Sequence, residues 1–491
     1  MESNTSVPRL GNAALSDLDP AVDPPTYDRS DLVPSIVHIG VGGFHRAHLA
    51  KYIDELLRSG NTDWAILGTG VLPGDARMAD ALLPQDGLYT LIERGADSIS
   101  TSVIGSMIDY IHAHPDSSRL IDAIASPTTQ IVSLTVTEGG YPVDDATGDF
   151  DPDSRNAAPG SGFAAIIAGL QKRMANGVGP VTLMSCDNVM GNGHIARTAT
   201  MGMIGDNAEL AAWVNDNVAF PNSMVDRITP ATTAEDRAWF AETYPFADDW
   251  PVVCEPFIQW VVEDNFAGAR LPLEDLARHG VTVTNDIEPF EHMKLQLLNA
   301  GHICLAYPAA LLEFELVHEA MADDDVRNFM GAYLNVEAKT ALPPIDGMDF
   351  DAYIAGVIER FSNPQVRDQI GRLNQDATGR FPKFVVPTVR AQLASNGPID
   401  IAALLFACWR KYLLGTSDAG NPIAPEADPF LEETLAAAQA SVEDPAKFLD
   451  IPRVFDKEIA ENERFINAFV TAVDALDTLG VRAAINQYIT S

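Results

Sequence analysis

Residues 35–57 read SIVHIGVGGFHRAHLAKYIDELL, and this stretch decides the fold of the N-terminal half. An apolar run leads into a glycine-rich turn, and apolar residues then recur at helical spacing. The pattern predicts a strand, a tight turn and a helix, an arrangement in which backbone N–H groups can approach a pyrophosphate. Gly40 and Gly42 fit the dinucleotide fingerprint, but His45 stands at the third glycine position. An ordinary strand-to-helix turn therefore remains the alternative.

Similar short runs rich in β-branched residues recur up to about residue 286, separated by helical stretches. They are WAILGTG (64–70), SVIGSMI (102–108), QIVSLTVTEGG (130–140), VTLMSCDN (181–188) and VTVTND (281–286). This alternation predicts an α/β, doubly wound sheet of Rossmann type. From residue 290 on, amphipathic helical segments follow one another. We therefore predict a dinucleotide-binding domain at residues 1–286 and a mostly α-helical substrate domain at 287–491.

Residues 291–302, EHMKLQLLNAGH, place three candidate reactive groups on one predicted helix. Lys294, Asn299 and His302 would lie at about 0°, 140° and 80° around the axis, on a single face. Pro289 marks the start of the helix, and Lys294 follows within about the first turn, where the helix dipole opposes protonation of an amine. A neutral lysine can take a proton from an alcohol. The alternative is a surface helix with a solvated lysine.

The composition excludes several classes of function. The 491 residues are 46% hydrophobic, enough for two domains with sizeable cores. Acidic residues outnumber basic ones by 69 to 32, which gives a net charge of −37 and argues against nucleic-acid binding. Such a surface suits high salt, where counterions screen self-repulsion, but it can equally serve solubility.

Cysteine usage points to a reducing compartment. The four cysteines are widely separated and show no CxxC spacing, which predicts neither a disulfide framework nor a zinc site. The histidine pair in HRAH (45–48) lacks a carboxylate or cysteine set beside it, so no metal is predicted there either. The apolar run IAALLFACW (401–409) is too short to span a bilayer. We expect a cytoplasmic protein that does not contact membranes.

Several motifs in the same order resemble those of the polyol-specific long-chain dehydrogenases. They are GVGGFHRAH near residue 40, TEGGY (137–141), SCDN (185–188), VAFPNSMVDRITP (218–230), CEPFIQWVVED (254–264), the lysine helix and RFPKFVVPT (380–388). The resemblance covers nearly the whole chain. Within that family the K-x4-N-x2-H pattern carries the catalytic lysine, which falls on Lys294.

The resemblance implies a metal-free mechanism for oxidising a secondary alcohol. Lys294 would be the general base, and Asn188 and Asn299 would donate hydrogen bonds to the substrate oxygen. His302 would complete the catalytic set. Glu291 would pass protons between the lysine and solvent, although a carboxylate stabilised by the helix dipole is an equally good interpretation from the sequence.

The resemblance also implies the ligands. The cofactor would be NAD, bound by Gly40, Val41, Gly42, Gly43, Phe44 and Asp75. Asp75 would hold the adenosine ribose and repel the 2′-phosphate of NADP. Its spacing from the glycine turn is longer than usual, and Arg77 beside it could instead accept phosphate. Asp226, His302, Arg372 and Lys383 would bind the hydroxyl groups of an open-chain polyol.

The expected reaction is the NAD-dependent interconversion of D-mannitol and D-fructose, by a monomer or weak oligomer. Alternatives within the enzyme class are a mannonate or altronate oxidoreductase, acting on fructuronate or tagaturonate, and a D-arabinitol dehydrogenase. RFPKFVVPT looks more like the mannitol branch than the uronate branch. A module that senses NAD(H) without turnover is the non-enzyme alternative, which an intact set of Lys294, Asn188 and Asn299 disfavours.

Overall fold

The computed structural model describes residues 7–144, 147–156 and 161–490. The chain divides into two compact units, Met1–Glu288 and Pro289–Ser491. Within the described ranges, no helix combines the length and the apolar character needed to cross a membrane.

The first unit is an α/β structure whose strands fall into three sheets. The strands are Val22–Asp23 (β1), Pro34–Ile39 (β2), Ala65–Gly70 (β3), Tyr89–Arg94 (β4), Ile99–Ile104 (β5), Met107–His112 (β6), Ile131–Leu134 (β7), Val181–Ser185 (β8), Val218–Ala219 (β9), Ser223–Asp226 (β10), Val252–Cys254 (β11), Gln259–Glu263 (β12) and Val281–Thr284 (β13).

The central sheet has six parallel strands in the order β6-β3-β2-β7-β8-β9. Counted along the chain, these strands stand in the order 3-2-1-4-5-6, which is the order of dinucleotide-binding doubly wound sheets. The direction of winding reverses between β2 and β7. Ligands of such sheets bind outside the carboxyl ends of the strands at this point, so the residues after β2, β3, β7 and β8 are the first candidates for a site.

Both faces of the central sheet are buried, because β2 sends apolar side chains to each side. Ile36 packs in one apolar core, whereas Val37 and Ile39 pack in another, and all three are inaccessible to solvent. Helices cover the two faces. The α-helices of this unit are Gly43–Ala47 (α1), Leu49–Arg58 (α2), Ala76–Leu82 (α3), Ser118–Ile124 (α4), Gly162–Ala175 (α5), Asn192–Ile204 (α6), Ala208–Asn217 (α7), Ala234–Thr243 (α8) and Leu273–Arg278 (α9). The predicted Rossmann-type fold is confirmed.

Two smaller sheets were not predicted, with the orders β1-β5-β4-β11 and β10-β12-β13. The predicted run 102–108 is wrong as one strand, because it divides between β5 and β6, which belong to different sheets. The break lies at Gly105, whose N–H donates to Asp54 Oδ1 (2.8 Å) and whose carbonyl accepts from Arg29 Nε (2.9 Å). Side chains therefore replace strand neighbours as its partners. The predicted strand at 281–286 forms β13, outside the central sheet.

The second unit is built from helices, as predicted. They are Glu288–Met293 (α10), Ala300–Leu311 (α11), Val317–Ala322 (α12), Asp324–Ala332 (α13), Lys339–Ala341 (α14), Phe350–Phe361 (α15), Ile370–Leu373 (α16), Ala377–Phe384 (α17), Val386–Ser395 (α18), Asp400–Leu413 (α19), Leu431–Ala440 (α20), Lys457–Ala460 (α21), Glu463–Leu479 (α22) and Val481–Thr490 (α23), with π-helical turns at Lys294–Asn299 and Tyr333–Ala338. Helix α19 is buried along most of its length and packs against α11 and α22.

Candidate functional site

The turn after β2 brings the backbone of Gly40 against the end of β7. Gly40 has a φ of +96°, and a Cβ atom at this position would lie 2.1 Å from the carbonyl oxygen of Thr135. Only glycine fits there. At Gly42, in contrast, a Cβ atom would meet nothing nearer than 4.0 Å. The space beside Gly42 is therefore open, as a turn that receives a ligand against its backbone requires.

A stacked imidazole pair occupies the position of the third glycine in the fingerprint. The ring of His45, in α1, lies 3.4 Å from that of His38, in β2, with an interplanar angle of 12°. Both residues are fully buried, and burial lowers the pKa of His38 to about 3 and that of His45 well below its usual value. Two neutral flat rings therefore provide the close helix-to-strand contact that a glycine would otherwise permit.

His38 also orients the glycine turn through a chain of hydrogen bonds. Thr135 Oγ1 donates to the carbonyl oxygen of Gly40 (2.7 Å), so its single proton is used there. His38 Nε2, 2.8 Å from the same hydroxyl, must then donate to it, and Nδ1 accepts from the hydroxyl of Ser133 (2.8 Å). This chain fixes the carbonyl of Gly40 and, with it, the direction of the turn.

Asp75 lies at the carboxyl end of β3. Its Oδ2 accepts a hydrogen bond from the N–H of Leu72 (2.8 Å), and its Cβ packs so closely on Gly70 that a Cβ atom added to that glycine would lie 2.4 Å away. The guanidinium of Arg77 lies over the Trp250 ring, 5.9 Å from its centre. Asp75 therefore lies against the last residue of β3, despite its long spacing from the glycine turn in the sequence.

Asp187 ties together the turns that follow β7 and β8. Its carboxylate accepts hydrogen bonds from the N–H groups of Val136 (3.1 Å) and Thr137 (2.8 Å) and from the hydroxyl of Tyr141 (2.7 Å). Thr137 has a φ of +63°, so this interaction holds a backbone conformation that threonine rarely adopts. Asn188 follows directly and is exposed at the carboxyl end of β8. The sequence interpretation did not recognise Asp187, although it lies inside the SCDN motif.

The MVDRITP motif has a structural role through Arg227. This residue is buried, and its guanidinium donates to the carbonyl oxygens of Ala47 (2.5 Å) and Glu255 (3.0 Å) and pairs with Glu93. It thereby ties the end of α1 to β4 and to the turn after β11. Asp226, the predicted substrate ligand beside it, is buried at the end of β10.

The helix that carries Lys294 is not a regular α-helix. Between α10 and α11, residues Lys294–Asn299 form a π-helical turn, and the N–H of Ala300 donates to the carbonyl oxygen of Leu295, five residues earlier. The predicted angles of about 0°, 140° and 80° assumed α-helical rotation and are wrong. A π turn rotates less per residue, so two residues five positions apart lie nearer to one another around the axis. Lys294 and Asn299 have this separation, and the π turn therefore brings their side chains closer to a common face.

The predicted position of Lys294 in the first turn is also wrong. Helix α10 begins at Glu288, so Lys294 lies in the second turn, beyond the reach of most of the dipole effect. Burial is the feature of this lysine that favours a role as a base. Lys294 is only 6% exposed, which contradicts the alternative of a solvated surface lysine. Glu291 is buried as well, at 7%.

The remaining predicted residues of this unit lie on three helices. The ring of His302, in α11, stacks on Phe361 at 3.9 Å. Arg372, in α16, forms a two-point ion pair with Asp368, whereas Lys383 is exposed in α17. The π turn is connected to the RFPKFVVPT segment, because the Thr388 hydroxyl donates to Gln296 Oε1 (3.1 Å). In the portion of the chain described, no three His, Cys, Asp or Glu side chains are grouped in a way that could hold a metal.

Comparison with known proteins agrees with this arrangement. The Mannitol dehydrogenase Rossmann domain family matches residues 34–275, and the Mannitol dehydrogenase C-terminal domain family matches residues 286–477. Mannitol 2-dehydrogenases of Aspergillus fumigatus and Cereibacter sphaeroides are each 42% identical to this chain, over 95% and 96% of its length and 95% and 99% of theirs.

Two solved structures are similar along the whole chain. One is Pseudomonas fluorescens mannitol 2-dehydrogenase in a ternary complex with NAD and D-mannitol, with 38% identity, a TM-score of 0.84, and coverage of 98% of this chain and 100% of that one. The other is a D-sorbitol dehydrogenase in substrate-free form, with 32% identity, a TM-score of 0.90, and coverage of 97% and 100%. The chain therefore belongs to the mannitol dehydrogenase family, and the family expected from the sequence motifs is confirmed.

The two glycines of the turn predict different outcomes on substitution. Gly40→Ala should lower the free energy of unfolding by about 3 kcal/mol, because it combines a positive φ with a backbone clash. Gly42→Ala is the matched control and should change that free energy by less than about 1 kcal/mol. Chemical denaturation of the full chain measures both. Equal losses in the two variants would contradict the geometry described for this turn.

Proposed function

We propose that this protein is an NAD-dependent polyol dehydrogenase that oxidises D-mannitol at C2 to D-fructose and catalyses the reverse reduction. The observation that carries the proposal is the full-length similarity to the P. fluorescens enzyme, which was solved with NAD and D-mannitol. The family relationship supports an enzyme over a module that only senses NAD(H).

The N-terminal part, residues 1–286, is proposed to bind NAD, and residues 287–491 to bind the substrate. The glycine turn fits a dinucleotide, because Gly40 allows the close backbone approach at Thr135 and the space beside Gly42 is open. The proposed contacts to NAD come from Gly40, Val41, Gly42, Gly43, Phe44 and Asp75. When bound, NAD supplies the acceptor for the hydride that leaves C2.

The protein supplies the proton chemistry and the stabilisation of charge. Lys294 is proposed to take the proton of the C2 hydroxyl, which suits a buried amine. Negative charge then builds on the substrate oxygen, and the side-chain amides of Asn299 and Asn188 donate hydrogen bonds to it. Glu291, one helical turn before the lysine, would carry the proton onward to solvent.

The other hydroxyl groups need both donors and acceptors. Asp226 can accept hydrogen bonds, Arg372 and Lys383 can donate, and His302 can do either. With amides and an amine performing the chemistry, the proposed reaction needs no metal. We further propose a cytoplasmic location, since all four cysteines are free and buried, and a monomer or weak oligomer.

D-sorbitol is the second candidate substrate, because the structure with the TM-score of 0.90 is a D-sorbitol dehydrogenase. Sorbitol and mannitol differ only in configuration at C2, and oxidation there converts both to fructose. The identity of the reduced product therefore separates the two candidates.

The substrate assignment predicts the outcome of an NADH oxidation assay with fructose, xylulose, fructuronate and tagaturonate. Fructose should give the highest kcat/KM, and chromatography of its product should show mannitol rather than sorbitol. Sorbitol as the main product would favour the second candidate. Comparable or greater activity on fructuronate would refute the polyol assignment and favour a uronate oxidoreductase.

The cofactor assignment predicts a specific effect of Asp75. Wild-type enzyme should prefer NADH, and Asp75→Ala should raise the kcat/KM for NADPH relative to NADH roughly tenfold, because it removes a charge that repels the 2′-phosphate. Asp80→Ala removes an exposed carboxylate from α3 nearby and is the matched control. A wild-type preference for NADPH, or the same ratio change in both variants, would contradict the role of Asp75.

A further inference from the structure

Arg372, one of the proposed substrate ligands, is already engaged by a carboxylate. Asp368 lies between α15 and α16, and its two oxygens accept hydrogen bonds from Arg372 Nε (2.7 Å) and Nη2. The Asp368 side chain is 10% exposed, whereas that of Arg372 is 53% exposed. Two parallel hydrogen bonds between a guanidinium and a carboxylate form a strong and directional ion pair. Asp368 was not among the residues singled out from the sequence.

Asp368 is held in place by its own backbone and by its neighbour. The N–H of Val317 donates to the carbonyl oxygen of Asp368 (2.9 Å), and the N–H of Gln369 donates to its Oδ1 (2.9 Å). Burial alone would raise the pKa of Asp368, but the hydrogen bonds and charge of Arg372, together with nearby His302, bring that pKa below its usual value. The carboxylate is therefore ionised at neutral pH and fixed beside Arg372.

The second proposed cation, Lys383, also has a carboxylate nearby. Burial raises the pKa of Asp376 above its usual value, and the charges of Arg380 and Lys383 oppose that rise. Asp376 precedes α17, and its carboxylate lies against Gly379, where a Cβ atom would approach it within 2.6 Å. Asp376 therefore interacts with Lys383 through charge, whereas Asp368 binds Arg372 directly.

This arrangement matters for substrate charge. A hexuronate carries a carboxylate that needs a cation with available positive charge, whereas a hexitol or ketohexose needs only hydrogen-bond partners. With Nε and Nη2 directed at Asp368, the N–H groups on Nη1 are the donors of Arg372 best placed for a hydroxyl. The fixed negative charge of Asp368 would in addition repel a uronate at short range.

We propose that Asp368 is a specificity-determining residue that neutralises Arg372 and so directs the site toward uncharged polyols and ketoses and against uronates. This inference rests on the proposed function and names the physical basis of its selectivity. It assigns to Asp368 no part in proton or hydride transfer.

The test compares kcat/KM for fructose and fructuronate in wild type and Asp368→Asn, with NADH as cofactor. Asp368→Asn should raise the fructuronate-to-fructose ratio about tenfold or more, because it leaves the charge of Arg372 uncompensated. Asp368→Glu keeps the charge and should retain a ratio near that of wild type. Adding Arg372→Ala to Asp368→Asn should abolish the gain, since the effect acts through Arg372.

Asp351→Asn is the matched control, because it removes one carboxylate of the same unit, an exposed partner of Lys339, and lowers the net negative charge equally. Its ratio should not change. If Asp368→Asn lowers both rates in proportion, Asp368 has only a structural role and the inference is wrong while the proposed function stands. If wild type reduces no fructose, the proposed function fails, and the inference that rests on it fails too.

Discussion

Backbone hydrogen bonds in the helix that carries Lys294 span five residues instead of four over Lys294–Asn299, and the candidate catalytic groups of the helical unit depend on this change. In a regular α-helix, two residues five positions apart are separated by about 140° around the axis. The π turn reduces this separation. The side chains of Lys294 and Asn299 therefore lie closer together around the axis than they would in a straight α-helix. π turns of this kind are frequent at functional sites. Gln296, within the turn, is held by the buried Thr388.

In the first unit, too, the candidate groups depend on local backbone conformation, here in the turns that follow strands. Most of its candidate groups lie on turns at the carboxyl ends of β2, β3 and β8, and two turns at this edge of the sheet have residues with a positive φ. Gly40 has a positive φ and lies against Thr135, while Thr137 has a positive φ and is held by Asp187. The conformation of Thr137 costs free energy that the surrounding contacts must offset, whereas Gly40 adopts its positive φ without that cost because glycine lacks a Cβ atom. Tertiary contacts thus hold the backbone at turns of the first unit, and the hydrogen bond from Thr388 to Gln296 does the same for the π turn of the second.

The sequence was sufficient for the elements with strong periodic patterns. The apolar runs at 36–40 and 64–70 correspond to β2 and β3, and the prediction of a helical second half was correct. The division between β5 and β6 could not be predicted, because it depends on Arg29 and Asp54, which are distant in sequence. A single π turn leaves too little periodicity to be distinguished from an α-helical turn. The family motifs identified Lys294 as a candidate but carried no information on its hydrogen-bonding geometry.

The roles of Asp187 and Asp368 were missed for a related reason. An acidic residue in a turn is ordinarily solvated, and only the folded structure shows that these two carboxylates hold backbone N–H groups or a guanidinium. In a chain with 69 acidic residues, the sequence alone does not distinguish a carboxylate that has a specific partner from one that is solvated. Spatial contacts, and not composition, separate them from the rest.

The most direct test of the account is the rate of mannitol oxidation by Lys294→Ala, measured with NAD on protein shown to be folded and to bind NADH. We predict a loss in kcat of roughly 10²-fold or more, the usual scale for a positioned general base, with partial recovery when small primary amines are added. Lys339→Ala, a lysine of the same unit that pairs with Asp351, should retain wild-type kcat. A kcat for Lys294→Ala close to that of wild type would contradict the assignment of Lys294 as the base.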